Sequence, residues 1–238
     1  MYLDEFRYRF CTLILTFREY LMFLNGWKLL DNEEDRPMVG FATSNMIGSP
    51  NWHGGLIQYL KEHFLNNSKL IRCVDIGASY GWLTVPFAKL FDKVEAFEMR
   101  SDVFGCLEHN TKGYKNINIY NFGLSDVSGE KNFNLKKDTG TSNITEKDTN
   151  NICNVKLLDE FNFESVDLIK IDVEGHELEV IKGALNTIEK NKPVLVIEIH
   201  PHADRTSFLK RQIIFKTLKY YGYEIEDVRR HDFVFICR

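Results

Sequence analysis

Two groups of residues in this 238-residue chain have types and spacing that could do chemistry. The first is Val74-Asp75-Ile76-Gly77-Ala78-Ser79-Tyr80-Gly81. An apolar strand ends near Asp75, two glycines follow, and a helix begins. In an open α/β sheet, ligands bind beyond the carboxyl ends of the strands. Glycines there let backbone approach a ligand, and the following helix offers free N–H groups. The next apolar run ends in Glu98, about 20 residues after Gly77, the spacing at which a carboxylate meets a ribose. A dinucleotide fingerprint needs a glycine where Ser79 stands, and Asp75 would repel a pyrophosphate. An acidic loop plus a ribose-binding acid suits a ligand with a cationic end and a ribose, as in S-adenosylmethionine.

The second group is Asp167 to Ala184, DLIKIDVEGHELEVIKGA. A buried strand ends near Asp172, and Glu174, Gly175, His176 and Glu177 follow at a helix start. A helix start stabilises acids through its dipole, which accounts for Glu177 better than for Asp172. The next strand ends Glu198-Ile199-His200. Converging acids and imidazoles at carboxyl edges could act as a general base or hold a divalent cation. Asp172, His176 and His200 are the catalytic candidates, and Asp172 with Glu198 the metal candidates. His202 and His231 are more ordinary surface residues. Gly77-Ala78-Ser79-Tyr80-Gly81 also fits the nucleophile elbow of hydrolases, with His53-Gly54-Gly55 upstream and Asp172 then His200 or His202 in matching order. That reading leaves Asp75 and Glu98 without a role, and no strand is evident before Leu70.

The elements that must position these residues follow from periodicity. From Leu70 onward, short apolar runs alternate with helical stretches: LIRCVDI, WLTVPFAKLF, VEAFE, DVFGCLEHNTK, INIYNFGL, DLIKIDV, ELEVIKGALNTIEK, PVLVIEI and SFLKRQIIFKTLKYYG. Such alternation predicts parallel β-α-β units with helices on both sheet faces. YEIEDV and FVFIC are too close in sequence for a parallel crossover and should form an antiparallel hairpin. Residues 125–160 lack a strong helical pattern and read as a long loop with short strands. Leu13, Phe17, Tyr20, Leu21 and Leu24 have helical spacing, which predicts an amphipathic helix over Phe10 to Leu30. A connector over 31–55 and helical spacing from Leu56 to Leu65 follow. The expected division is an N-terminal helical cap over 1–62 and a cofactor-binding domain over 63–238.

Composition is that of an ordinary globular protein, 44% hydrophobic, 27% charged and 13% aromatic. A net charge of −4 argues against a nucleic-acid binder working through a broad basic surface. The apolar run from Thr12 to Phe17 is too short for a secretory signal or a membrane span. Five scattered cysteines without a C-x-x-C pair suggest neither a disulfide framework nor a zinc ribbon, and fit reduced thiols in the cytoplasm.

On VDIGASYG, AFEMRSDVFGCLEHN, NFGLSD, VKLLDEF with DLIKIDVEGHELEVIKGA, and VIEIH, the chain resembles the FkbM family of S-adenosylmethionine-dependent methyltransferases over about residues 70–200. It departs at Met99, where many members have proline. The resemblance implies a class I methyltransferase fold: a doubly wound, mostly parallel, seven-stranded sheet with an antiparallel edge hairpin. It also implies methyl transfer to oxygen, commonly a hydroxyl of a sugar, glycan or polyketide-like small molecule. By position, Asp75, Gly77, Ala78 and Gly81 would surround the amino-acid end of the cofactor. Glu98 would bind the ribose, Met99 would pack on the adenine, and Asn121, Gly123, Leu124 and Ser125, with Asp126 beyond, would line the adenine side. Apart from the resemblance, the 125–160 region and the N-terminal segment are expected to face the acceptor, with Asn143, Asn150 and Asn151 as polar contacts or, equally, turn residues.

Overall fold

A computed structural model describes residues 12–16, 19–24, 27–30, 55–64, 70–136, 142–200, 205–229 and 231–238. The N-terminal region corrects the helical expectation. Strands β1 (Thr12–Thr16), β2 (Glu19–Leu24) and β3 (Trp27–Leu30) form an antiparallel three-stranded sheet. The connector over 31–54, including His53, lies outside the described residues. The predicted helix from Leu56 is present as α1 (Leu56–His63), with Leu56 and Leu60 fully buried.

The main sheet starts with β4 (Arg72–Ile76). It is followed by the short α2 (Thr84–Ala88), β5 (Lys93–Phe97), α3 (Ser101–Thr111) and β6 (Ile117–Tyr120). The expected third strand then divides, because β7 (Gly123–Leu124) leaves the main sheet. It joins β8 (Gly129–Asn134), β9 (Asn143–Thr145) and β10 (Ile152–Lys156) in a separate sheet ordered β7-β10-β8-β9. The region expected as a loop with short strands is largely this sheet. The chain returns through β11 (Val166–Ile171), α4 (Glu177–Lys182), α5 (Leu185–Asn191), β12 (Val194–Glu198) and α6 (Arg205–Tyr220). It ends with the antiparallel pair β13 (Tyr223–Arg229) and β14 (Asp232–Cys237).

The seven-stranded order is β13-β14-β12-β11-β4-β5-β6. Pairings from β12 through β6 are parallel, and β14 lies antiparallel between β12 and β13. Both faces are covered, as parallel sheets require. Val74, Ile76, Ile169 and Ile171 enter one core, and Cys73, Leu168, Val196 and Val234 enter the other with α1. Side chains alternate along a strand, so registered neighbours share a face. The second face is apolar at Cys73, Leu168 and Val196 and becomes charged toward the carboxyl ends, at Asp75, Lys170, Asp172 and Glu198. No helix among the described residues is long and apolar enough to cross a membrane.

Candidate active site

The glycine loop is pinned between two strands. The N–H groups of Gly77 and Ala78 donate to Phe97 O at 3.0 and 2.9 Å, and Asp172 N donates to Ile76 O at 3.0 Å. Gly77 has φ +82°, and a Cβ there would lie 1.8 Å from the Asp172 carbonyl oxygen. Only glycine lets β4 turn this close to β11. Asp75 is buried at the carboxyl end of β4 and accepts a hydrogen bond from Thr84 Oγ1 at 2.5 Å. The loop is also braced from outside. Asn110 of α3 donates to Tyr80 O at 2.9 Å and to Lys28 O at 3.1 Å, and accepts from Lys28 N at 2.7 Å. The N-terminal sheet is thereby tied to the loop, with Trp27 against Trp82 at 4.7 Å.

Glu98 follows β5 on the face that carries Asp75, because Asp75 registers with Ala96. Each of its carboxylate oxygens accepts one backbone N–H: Oε2 from Ser79 at 3.0 Å and Oε1 from Arg100 at 2.8 Å. Burial pushes Glu98 up to about 7, against the pull of those two N–H groups. Each oxygen keeps a further lone pair for a donor. Asn121 organises the adjoining turn by donating to Glu98 O at 3.0 Å and accepting from Ser101 Oγ at 2.9 Å. Met99 packs with Phe133, Ile144, Cys153 and Val155, so the small sheet is joined to the segment after Glu98. A Cβ on Gly123 would approach Met99 Cβ to 3.5 Å, and Leu124 is buried in the main core.

Ser125, expected on the adenine side, and His176, expected in catalysis, meet each other. Ser125 Oγ lies 2.9 Å from His176 Nε2, and both side chains are buried. His176 Nδ1 lies 3.6 Å from Glu179. Burial pulls the imidazole down to about 4, so it is neutral at physiological pH. This contact latches the start of α4 to the β7 segment, and His176 does not join the acids at the sheet edge as expected. Glu177 accepts the Gly175 N–H at 2.7 Å, which closes the turn before α4.

The residue that sequence reasoning missed is Lys170. It is fully buried in β11, with its ammonium 2.9 Å from Asp232, 3.6 Å from Asp172 and 3.8 Å from Glu198. Asp232 faces Glu198 across the β12–β14 pair. Burial alone would lower the Lys170 ammonium, but Asp172, Asp232 and Glu198 together outweigh it and raise it. Burial and the neighbouring Asp172 push the Glu198 carboxyl well above its usual range. His200, partly exposed, has Nε2 at 3.3 Å from Glu198 and 3.8 Å from Glu174, and its ring lies against His231 at 4.8 Å. The signal for Lys170 was in DLIKIDV: a charge inside a buried strand, two residues before an acid and so on the same face.

At the metal candidates Asp172 and Glu198 the structure places a cation of the protein's own. The Lys170 ammonium already stands against both carboxylates. Among the described residues no group of three or more His, Cys, Asp or Glu side chains is arranged to hold a metal ion. The hydrolase alternative fails geometrically. Ser79 has the positive φ of an elbow, +50°, but among the described residues its buried Oγ has no hydrogen-bond partner, and its N–H is committed to Glu98. A nucleophilic serine needs a base within reach.

The residues present suit a sulfonium nucleoside. An orphaned hydroxyl at Ser79, a cradle at Gly77 that a Cβ would fill, and two buried acids flank one turn. A doubly wound sheet of this order, with acids at successive carboxyl ends, is that of the class I methyltransferase fold. Residues 75–225 match the methyltransferase FkbM domain, and the chain belongs to that family. Hexuronic acid methyltransferase AglP of Haloferax volcanii is 32% identical over 117 residues, 47% of this chain and 48% of that protein. The match thus spans about half the length of that curated relative. The crystal structure of methyltransferase FkbM from Methylobacillus flagellatus superposes with a TM-score of 0.54 at 19% identity, over 83% of this chain and 52% of that one. That likeness is one of fold.

Proposed function

We propose that the chain transfers a methyl group from S-adenosylmethionine to a hydroxyl oxygen of a sugar or glycan. The observation that carries this reading is the row of carboxylates on one sheet face, Asp75 and Glu98 around a glycine turn with Asp172 one strand away. Asp75, Gly77, Ala78 and Gly81 would hold the amino-acid end of the cofactor, and Glu98 the ribose hydroxyls. Met99, Asn121, Gly123 and Leu124 would bound the adenine side, and Ser125 would support that wall through His176. When bound, the cofactor supplies an electrophilic methyl group on a sulfonium.

The protein's task is then to orient a hydroxyl and receive its proton. Alignment alone contributes several kcal/mol, on the order of 7–11 in well-oriented systems. Asp172, partly exposed at the end of β11, is the proton acceptor in this reading, and His200 beside Glu198 connects the pair to solvent. The small sheet of β7 to β10 and the N-terminal strands β1 to β3 would wall the acceptor. The sugar assignment is supported by the name of the Haloferax relative, which acts on a hexuronic acid. The test is incubation with methyl-labelled S-adenosylmethionine and a panel of neutral sugars, hexuronic acids and oligosaccharides. O-methylated sugar is the expected product. Asp172→Asn should bind S-adenosylhomocysteine normally and lose turnover, and full turnover in that variant would remove Asp172 from the chemistry.

A further inference from the structure

Lys170 sits where its sheet face changes from apolar to charged. Leu168, Val196 and Val234 on that face are apolar and, like Lys170, essentially inaccessible, while Asp75 registers beside it on β4. A methionine would fill that space. Buried ion pairs give no general advantage in stability over apolar replacements of similar volume. A lysine taken fully out of water therefore calls for a reason beyond packing. Asp232, itself buried, already supplies a counter-ion at 2.9 Å. Two further carboxylates nonetheless converge on the same ammonium, and they come from the two strand ends that bound the candidate acceptor site. These two, Asp172 and Glu198, are partly exposed, with side chains 25% and 18% accessible.

We propose that Lys170 is a positioning residue of the transfer centre: a built-in cation that holds the Asp172 and Glu198 carboxylates side by side, in the place where a divalent metal would otherwise sit. The proposal rests on the methyltransferase reading above. Asp172 and Glu198 meet at adjacent strand ends through a side-chain hydrogen bond, and the Lys170 ammonium stands against both. Lys170 approaches them from within the sheet, and both carboxyl groups stay partly exposed on the side that would meet an acceptor hydroxyl. Among the described residues, the charged groups around this centre are Asp232 from β14, Asp75 at the Lys170 register on β4, Glu174 from the turn before α4, Glu177 at its start, Lys210 of α6 beside Glu179, and the His200–His231 pair. Carboxylates outnumber fixed cations among these groups.

The experiment compares wild type, Lys170→Arg, Lys170→Met and the double variant Lys170→Met with Asp232→Asn. The double variant removes a buried charge and its counter-ion together, so folding is kept while the cation is lost. Thermal unfolding, calorimetric titration with S-adenosylhomocysteine, kcat and KM on the sugar panel, and Mn²⁺ titration followed by electron paramagnetic resonance are read for each. The double variant is expected to unfold near the wild-type temperature and to bind S-adenosylhomocysteine within about threefold of wild type. It should lose on the order of 100-fold in kcat with little change in KM, and Lys170→Arg should retain part of the rate. Wild-type turnover should be unaffected by EDTA, and Mn²⁺ should show no site that Asp172→Asn removes. Full kcat in the double variant, with cofactor binding intact, overturns the proposal alone. EDTA-sensitive turnover restored by Mn²⁺ at such a site overturns it as well. A wild-type protein that fails to bind S-adenosylhomocysteine overturns the methyltransferase reading and this proposal with it.

Discussion

Replacing Gly77 with alanine tests the packing of the glycine turn against β11. Two effects add at this position. A non-glycine residue at φ +82° pays the left-handed penalty, about 1–2 kcal/mol. The new Cβ also falls 1.8 Å from the Asp172 carbonyl oxygen and 2.9 Å from its carbon. That carbonyl is backbone at the end of a central strand, in a residue whose N–H is bonded to Ile76 O, so it cannot swing aside as a side chain would. Overpacking of this kind typically costs about 1–3 kcal/mol, occasionally more. The expected loss is about 4 kcal/mol, or a fall in Tm of about 8–16 °C for a chain of this size. Two other glycines separate the terms. Gly175 has φ +103° and no atom of the described residues within 4 Å of its Cβ position, so Gly175→Ala should show only the conformational penalty, about 1 kcal/mol. Gly183 has φ −78° but would place a Cβ 1.9 Å from Ser125 O, so Gly183→Ala should show only the clash, about 3 kcal/mol. Urea unfolding of the three variants gives the comparison. Gly77→Ala no costlier than Gly175→Ala would refute the argument that the turn is wedged against the Asp172 backbone.

Glu98 should impose a pH dependence on the site. Its carboxyl is raised from 4.5 to about 7 in the folded protein, so the native state holds this proton more tightly than the unfolded chain. Its contribution to apo-protein stability is therefore full below about 4.5 and is lost as pH rises through about 7. Affinity for S-adenosylhomocysteine should move the other way, rising from pH 6 to 8 as the carboxylate forms, and Glu98→Gln should abolish both trends in parallel unfolding and calorimetric series. His176 should stay neutral down to about pH 5 in an NMR titration, since burial lowers it to about 4. Its stabilising contribution is present above its usual value of 6.5 and is lost as pH falls toward about 4. Ser125→Ala should lower stability by about 1 kcal/mol through loss of the Ser125–His176 hydrogen bond, and no change would mean the latch holds nothing.

The main sheet was legible because parallel strands buried on both faces are continuous apolar runs, and because a short gap between YEIEDV and FVFIC permits only a hairpin. Asp75 and Glu98 were legible for a related reason: strand ends in an open sheet are ligand positions, and their separation is set by one β-α unit. The N-terminal segment was misread because Leu13, Phe17, Tyr20, Leu21 and Leu24 satisfy helical spacing. Leu24 instead pairs with Trp27 across the dipeptide Asn25-Gly26, and Asn-Gly between apolar runs is the strongest short hairpin signal. INIYNFGL looked like one strand because nothing local marks a break. The division comes from a tertiary contact, the Asn121 amide bonding back to Glu98 O, after which Gly123 and Leu124 pair with Val155 and Lys156. The surroundings of His176 and Lys170 were hard to read for a similar reason. The imidazole stood in the most recognisable motif and is used to latch α4, whereas the lysine was hidden in a strand whose partners are distant in sequence.

Calorimetric titration of the wild-type chain and of Glu98→Ala with S-adenosylhomocysteine tests the cofactor assignment most directly. Micromolar binding by the wild type, lost in Glu98→Ala while the variant stays folded, is the expected result. No binding by the wild type, or equal binding by both, would contradict it.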